Sequence, residues 1–148
     1  MLPLLSGRHS PIAGFSVTSP SQVVAALTFG YNIRRHLPDV KVVLGGQWIS
    51  MYREELLKRG DLHDFYDFLI THEGETPLLH LMKHLQGLEA ISEVPGLIYW
   101  NNGWKQSESA IRESLMDIPA PDFSGLPLEK YRGSSEALSL TIETARGC

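Results

Sequence analysis

Cysteine is the residue that this sequence has least of: Cys148, at the last position, is the only one among 148 residues. A single cysteine excludes an internal disulfide framework. Long apolar runs are missing too, because no stretch approaches the length of a membrane span and residues 1–10 lack the apolar core of a signal peptide. We therefore expect a cytoplasmic protein without a membrane partner.

Basic residues are also in short supply, with 13 Lys and Arg against 17 Asp and Glu and a net charge of −4. A nucleic-acid-binding domain usually carries a basic patch, so this balance argues against a nucleic-acid partner. Apolar residues make up 43% of the chain and charged residues 20%, which is ordinary for a globular protein. The length suits one domain, or one domain and part of another.

Familiar catalytic motifs are absent as well. The sequence contains no nucleophile–base pair, Walker loop or HExxH helix, so nothing indicates a self-contained hydrolase or kinase. No residue is assigned a catalytic role, and whether the chain is an enzyme is left open.

What the sequence does contain is a strand–turn–helix pattern that occurs three times. In the first unit, residues 13–17 predict a short apolar strand and residues 21–36 an amphipathic helix. Ser19 suits the N-cap of that helix, Pro20 its first position and Gln22 the partner in a capping box.

The other two units follow the same order. Residues 40–46 predict a strand with a Gly-Gly turn, and a helix follows over about residues 51–59. Residues 67–75 predict the third strand and turn, with a helix from about residue 77 whose buried stripe is Leu78, Leu81, Met82 and Leu85. Three such units predict an α/β fold, a partial Rossmann-like (flavodoxin-like) parallel sheet with flanking helices in three layers.

After the third unit the pattern changes. Residues 97–100 and 104–106 predict a β-hairpin whose turn is Asn-Gly. Residues 117–136 contain recurring prolines and predict an irregular linker, and residues 137–144 alternate as in a strand. We therefore divide the chain into a domain over residues 1–116, a linker over 117–136 and the start of another domain over 137–148.

The candidate ligand site lies where the three predicted parallel strands end, because ligands bind at that edge in open α/β sheets. Its candidate ligand-contacting residues are Ser16, Thr18, Ser19, Gly45, Gly46, Gly74 and Glu75. Structural roles stay open beside this one: a helix cap for Ser19, a tight turn for the glycines and a first-turn acid for Glu75.

Three histidines need separate interpretations. His72 is the one expected at the edge of the sheet. His80 and His84 are four residues apart on a predicted helix, a spacing at which two side chains can share a metal ion. No third ligand is evident, so a solvated helix flank is the favoured interpretation of this pair.

The order of several short segments is more specific than any one of them. They are GFSVTSPS at 14–21, VVLGG at 42–46, HEGE at 72–75, VPGL at 94–97, IPAPDF at 118–123 with residues 126–131, and TARGC at 144–148. This ordered set, which ends in Arg-Gly-Cys after a predicted strand, resembles the amino-terminal region of cobalamin-binding radical S-adenosylmethionine enzymes.

That resemblance implies a Rossmann-like cobalamin domain followed by a barrel that carries a [4Fe–4S] cluster. In the family three cysteines of a CxxxCxxC loop hold the cluster, and Cys148 matches the first of them. Residues 1–116 would be the cobalamin-binding-type domain, with its hydroxyls facing the nucleotide tail of cobalamin. Residues 137–148 would be the first barrel strand and the start of the cluster loop, and the rest of the cluster and S-adenosylmethionine sites would lie in a barrel domain missing from this sequence.

One apparent cobalt ligand fits the family poorly. Many cobalamin proteins ligate cobalt through the histidine of a DxHxxG loop, and Asp61-Leu-His63 begins like one. Tyr66 stands where that loop has glycine, and the segment precedes the third strand, whereas the family's loop follows its first strand. We interpret these residues as unrelated to cobalamin.

The resemblance favours a fragment, truncated at both ends, of an iron–sulfur oxidoreductase or methyltransferase, of which this is the cobalamin-binding or scaffold part. Such a fragment is expected to have no radical activity, to bind cobalamin weakly or not at all, and to form homo-oligomers through exposed strand edges. Two alternatives stay open: a free-standing flavodoxin-like interaction or regulatory domain without a cofactor, and a domain that only scaffolds the barrel.

Overall fold

A computed structural model of the chain describes residues 12–107, 113, 114, 116 and 118–131. The chain divides into two compact units, the first ending at Arg112 and the second beginning at Glu113. The first unit is built on a five-stranded sheet, whose strands are β1 (Ile12–Ser16), β2 (Lys41–Gly45), β3 (Phe68–Ile70), β4 (Leu97–Trp100) and β5 (Trp104–Gln106).

The helices of the first unit are α1 (Pro20–His36), α2 (Gln47–Met51), α3 (Arg53–Leu57) and α4 (Glu75–Leu85), with short 3₁₀-helices at Gly60–Asp64 and Ile91–Glu93. Among the described residues, no helix is long and apolar enough to cross a membrane.

The strand order is β1-β2-β3-β4-β5, and the first three strands are parallel neighbours. Gly14 pairs with Val43 and Ser16 with Gly45, so equivalent positions of β1 and β2 lie side by side. This arrangement confirms the predicted α/β fold. The predicted hairpin forms as well, and it extends the same sheet because β4 runs antiparallel to β3.

Two apolar cores cover the two faces of the sheet. One contains Ala13, Val17, Ala26, Ile33, Val42, Leu44, Ile49, Tyr66, Leu69 and Ile98, so α1 and α2 pack on that face. The other contains Val43, Phe68, Ile70, Leu81, Val94 and Leu97, so α4 packs on the opposite face. Successive strand residues alternate between these two cores, which gives the three layers expected of an α/β fold.

Two predicted helices differ from those observed. The helix expected over residues 51–59 begins earlier and is divided at Tyr52 into α2 and α3. Of the stripe predicted on α4, Leu81 is fully buried, but Leu78 and Met82 are 40% and 41% exposed. The core on this face draws on no other α-helix of the described chain, so only the side of α4 that touches the sheet is covered.

The second unit is described only in part. Its regular structure within residues 118–131 is a 3₁₀-helix at Leu128–Tyr131, preceded by a turn in which the backbone N–H of Ser124 donates to Asp122 Oδ1 at 2.8 Å. The strand predicted over residues 137–144 and Cys148 lie outside the described residues. The assignment of a linker and of a cluster-loop cysteine therefore stays a prediction.

Candidate functional site

The carboxyl ends of β1, β2 and β3 form one edge of the sheet, which we call the rim (residues 16–19, 45–50 and 71–75). The chain leaving β1 is bound to the turn after β2 through Val17. Its N–H donates to the carbonyl of Gly45 at 2.7 Å, and its carbonyl accepts from the N–H of Trp48 at 3.1 Å. These two bonds hold Ser16 and Gly45 beside each other at the rim.

The two glycines after β2 meet different surroundings. Gly46 has φ +100°, and a Cβ atom there would lie 2.5 Å from the carbonyl oxygen of Val17. A Cβ on Gly45 would lie 3.5 Å from the carbonyl oxygen of Ile70, which is an ordinary contact. Gly46 is therefore required by the turn itself, whereas Gly45 leaves free space next to Ser16.

Ser50 joins the second turn to the third. Its Oγ donates to the carbonyl of Gly46 at 3.2 Å and accepts from the backbone N–H of His72 at 2.7 Å. The strand-end pattern in the sequence does not point to this residue. The available signal was a serine one helical turn after the glycine pair, where a hydroxyl can bond back to the carbonyl four residues earlier.

His72 occupies a conformation that is uncommon for a residue with a side chain, with φ 64°. Its Nε2 lies 3.1 Å from Nη1 of Arg53. A guanidinium only donates, so Nε2 accepts and the neutral ring carries its proton on Nδ1. His72 reaches the rim as predicted, but its side chain is bonded to Arg53, a partner that no sequence motif indicates.

Gln22 organises the first turn, as the capping-box prediction required. Its Oε1 accepts from the backbone N–H of Thr18 at 2.8 Å, from the Thr18 hydroxyl at 3.1 Å and from the backbone N–H of Ser19 at 3.2 Å. The Ser19 hydroxyl lies 2.8 Å from that of Ser21. The polar groups of Thr18 and Ser19 thus bond to residues in the first turn of α1, whereas Ser16 is exposed.

Gly74 and Glu75 close the rim after β3. The backbone N–H of Gly74 donates to Glu75 Oε2 at 3.0 Å, so the carboxylate folds back onto its own turn. Glu75 is also the first residue of α4, where a negative charge is favourable for the helix dipole. This geometry supports the structural alternative for Glu75 and leaves Gly74 as backbone that a ligand can approach.

The surface beside the rim on the α4 side of the sheet is open. Gly14 and Ser16 are both exposed, and a Cβ on Gly14 would meet no atom within 4 Å. Together with Gly45 they form a surface of small residues on two adjacent strands. Such a surface fits a bulky cofactor that lies against backbone, and the described residues contain no group of three His, Cys, Asp or Glu side chains that could hold a metal ion.

Asp61 and His63 lie away from the rim. They belong to the 3₁₀-helix before β3, where Asp61 accepts from Arg59 Nη2 at 2.7 Å and the His63 ring stacks on Trp100 with centroids 4.6 Å apart. This placement agrees with the interpretation that the Asp-Leu-His segment is not a cobalt-binding loop.

No protein-family model matches the chain, and no curated protein matches it. Solved structures do match. The cobalamin-dependent S-adenosylmethionine radical enzyme OxsB, with aqua-cobalamin and S-adenosylmethionine bound, is 22% identical over 75% of this chain with a TM-score of 0.60. The radical S-adenosylmethionine methyltransferase TsrM from Kitasatospora setae, with tryptophan substrate and an S-adenosylmethionine analogue bound, is 20% identical over 72% of this chain with a TM-score of 0.59.

A second TsrM structure, with cobalamin and a [4Fe–4S] cluster bound, is 19% identical over 78% of this chain with a TM-score of 0.53. The chain spans 15% of the OxsB chain and 21% of the TsrM chain. Identities this low show a shared fold. The resemblance predicted from the order of segments is therefore confirmed at the level of the fold, which this chain has in common with part of two cobalamin-dependent radical S-adenosylmethionine enzymes.

Proposed function

We propose that the first unit is a cobalamin-binding-type domain, with the cofactor lying against the rim and the open surface beside it. One observation supports this proposal most strongly. Exposed Gly14 and Ser16 and half-buried Gly45 place small residues at adjacent positions of β1 and β2, next to a turn that requires glycine at position 46. The fold shared with OxsB and TsrM supports the same assignment.

The rim residues would have different roles in binding. Gly45 would let the backbone approach the cofactor closely, and the exposed Ser16 hydroxyl would bond to its polar nucleotide tail or amide side chains. Thr18, Ser19, Gly46 and Ser50 would hold the three turns in register. Cobalamin, when bound, supplies a cobalt centre that can carry a methyl group.

We further propose that radical chemistry belongs to a longer protein of which this domain would be one part. Both comparison proteins are radical S-adenosylmethionine enzymes, and one structure contains a [4Fe–4S] cluster. Cys148 would be the first cluster ligand in such a protein. One cysteine in place of three is the reason to expect no stable cluster and no radical activity from these 148 residues alone.

The test is a titration of the chain with hydroxocobalamin, followed by two-dimensional NMR of backbone amides. Binding is expected to be weak, because the described rim would contact the cofactor from one side and tight sites enclose their ligands. The expected result is a saturable shift confined to amides of residues 14–19, 45–50 and 72–75. Shifts spread over the molecule, or none at millimolar cofactor, would contradict the proposal.

Two matched variants make the test specific. Ser16→Leu places a bulky side chain on the exposed surface beside Gly45, where it should abolish the shifts without disturbing the fold. Gly125→Leu adds the same bulk in the second unit, at a glycine whose Cβ would meet no atom within 4 Å, and should leave the shifts unchanged. Equal binding by both variants would place the cofactor elsewhere.

A further inference from the structure

A second polar cluster lies at the carboxyl-terminal end of α4, the end away from the rim. It consists of His80 and His84 on the helix and Glu89 in the loop that follows, and all three are half-buried. His80 Nδ1 lies 2.7 Å from Glu89 Oε2, and His84 Nδ1 lies 3.0 Å from the Glu89 backbone carbonyl oxygen. Glu89 thus contacts the Nδ1 atom of both histidine rings.

These contacts determine the tautomer of both neutral imidazoles. A carbonyl oxygen only accepts, so His84 donates through Nδ1. Lys83 Nζ lies 3.1 Å from Glu89 Oε1. This ion pair holds Glu89 as a carboxylate. The ionised carboxylate also only accepts, so His80 donates through Nδ1, and both rings keep a lone pair on Nε2.

The spacing of the two histidines and their Nδ1 partners both match a metal-binding pair. Residues four apart on a helix have Cβ atoms about 5–6 Å apart, and the two zinc-binding histidines of HExxH helices have this same separation. Histidines that ligate metals usually donate their other ring N–H to a carboxylate or a backbone carbonyl, which orients the ring and raises its basicity. His80 and His84 have one partner of each kind.

We propose that His80 and His84 form a two-histidine site for a divalent transition-metal ion, with Glu89 orienting both rings through Nδ1. Imidazole ligands suit Zn²⁺, Cu²⁺ and Ni²⁺. The part of the chain that the structure describes holds no group of three such ligands, so water completes the coordination. The site is independent of the proposed cobalamin function.

The test is calorimetric titration of the full chain with Zn²⁺ alone, with Cu²⁺ electron paramagnetic resonance as a second probe. We expect one ion per chain and nitrogen hyperfine coupling from imidazole. Substituting His80→Gln or His84→Gln should lower the affinity at least tenfold. His36→Gln, at the end of α1, is the control and should leave it unchanged.

Glu89 is tested as a positioning residue. Glu89→Ala removes the acceptor of His80 and should lower the affinity by about 10- to 100-fold, the usual effect of losing such a partner. Glu89→Gln retains an acceptor oxygen and should restore most of it. A purely structural Glu89 would change the unfolding midpoint of the apoprotein without changing the affinity of the folded protein.

Thermal unfolding with and without Zn²⁺ tests the proposal even if a variant folds poorly. Zn²⁺ should raise the unfolding midpoint of the wild-type chain and of His36→Gln, because a ligand that binds the folded state stabilises it. It should not raise that of His80→Gln or His84→Gln. Equal zinc affinity in wild type and either histidine variant, or copper spectra without imidazole nitrogens, would overturn the proposal.

Discussion

Gly45 and Gly46 are neighbours in the sequence, yet their surroundings constrain them differently. The Gly-Gly pattern predicted a turn at the rim correctly, but it gave no means of telling the two residues apart. The difference arises from Val17, whose backbone pairs with this turn and leaves no room for a side chain on Gly46. Such a contact depends on strand pairing between distant segments, which local pattern does not contain.

This difference leads to a stability prediction. Gly46→Ala should lower the free energy of unfolding by about 3 kcal/mol, because the alanine meets both a positive φ and a backbone clash. Gly45→Ala is the matched control and should change it by less than about 1 kcal/mol, since its Cβ makes an ordinary contact. Urea denaturation of both variants provides the measurement, and equal losses would refute the separation of roles.

Tyr66 has a buried polar group without a partner. The residue is 1% exposed, and its hydroxyl has no hydrogen-bond partner in the described structure. An unpaired buried hydroxyl costs about 1–3 kcal/mol. Tyr66→Phe keeps the ring that stacks on Trp104, with centroids 5.1 Å apart, and removes only the oxygen. We therefore expect the variant to be as stable as the wild type or more stable by about 1 kcal/mol.

The pH dependence of stability tests the same hydroxyl independently. Burial raises the pKa of Tyr66 in the folded state above its ordinary value near 10, with a smaller effect from Asp61. Between the two values the unfolded chain binds fewer protons, so the unfolding free energy falls as the pH rises above about 10. Tyr66→Phe should show a shallower alkaline decline, and identical declines would contradict this account.

At the scale of elements, capping was predictable and helix division was not. Gln22 and Ser19 are close in sequence, so the start of α1 could be inferred from local chemistry alone. The early start of α2 at Gln47 depends on the N–H of Trp48, which donates to the carbonyl of Val17 about 30 residues earlier in the chain. Local pattern therefore placed this helix several residues too late and missed the division at Tyr52.

The apolar positions of α4 illustrate the same limit. Periodicity identified Leu78, Leu81 and Met82 as one stripe, and all three do lie on neighbouring positions of the helix. Which of them is buried depends on what packs beside the helix, and only Leu81 faces the sheet squarely enough to be covered. Periodicity predicts the direction of the core but not how widely the core extends around a helix.

At the scale of the whole molecule, the parallel sheet was predictable because each strand–turn–helix unit carries its own pattern and right-handed crossovers allow few arrangements. The hairpin was predicted as an element, whereas its place beside β3 in the same sheet was not. The meeting of the candidate residues at one edge was predictable for the same reason as the sheet, since the carboxyl ends of parallel strands lie together. Ser50 and Arg53 were missed because they lie within helices rather than at strand ends.

The position of β1 leads to the final prediction, which concerns self-association. In the described part of the chain, β1 is the end of the strand order, and Ile12–Ser16 contains neither charge nor proline to discourage pairing with another chain. We expect a dimer or higher oligomer at micromolar concentration in sedimentation velocity. Antiparallel pairing of two copies of this strand about a two-fold axis would bring Gly14, its central residue, opposite Gly14 of the second copy.

A charge at that central position should therefore prevent association. Gly14→Lys fits without a clash because its Cβ meets no atom within 4 Å, and two such lysines facing each other across the pair would repel. Gly125→Lys introduces the same charge at an equally open glycine of the second unit and should leave the oligomer intact. A monomeric wild-type chain would contradict the prediction, and an oligomer unaffected by Gly14→Lys would show that association uses a surface other than β1.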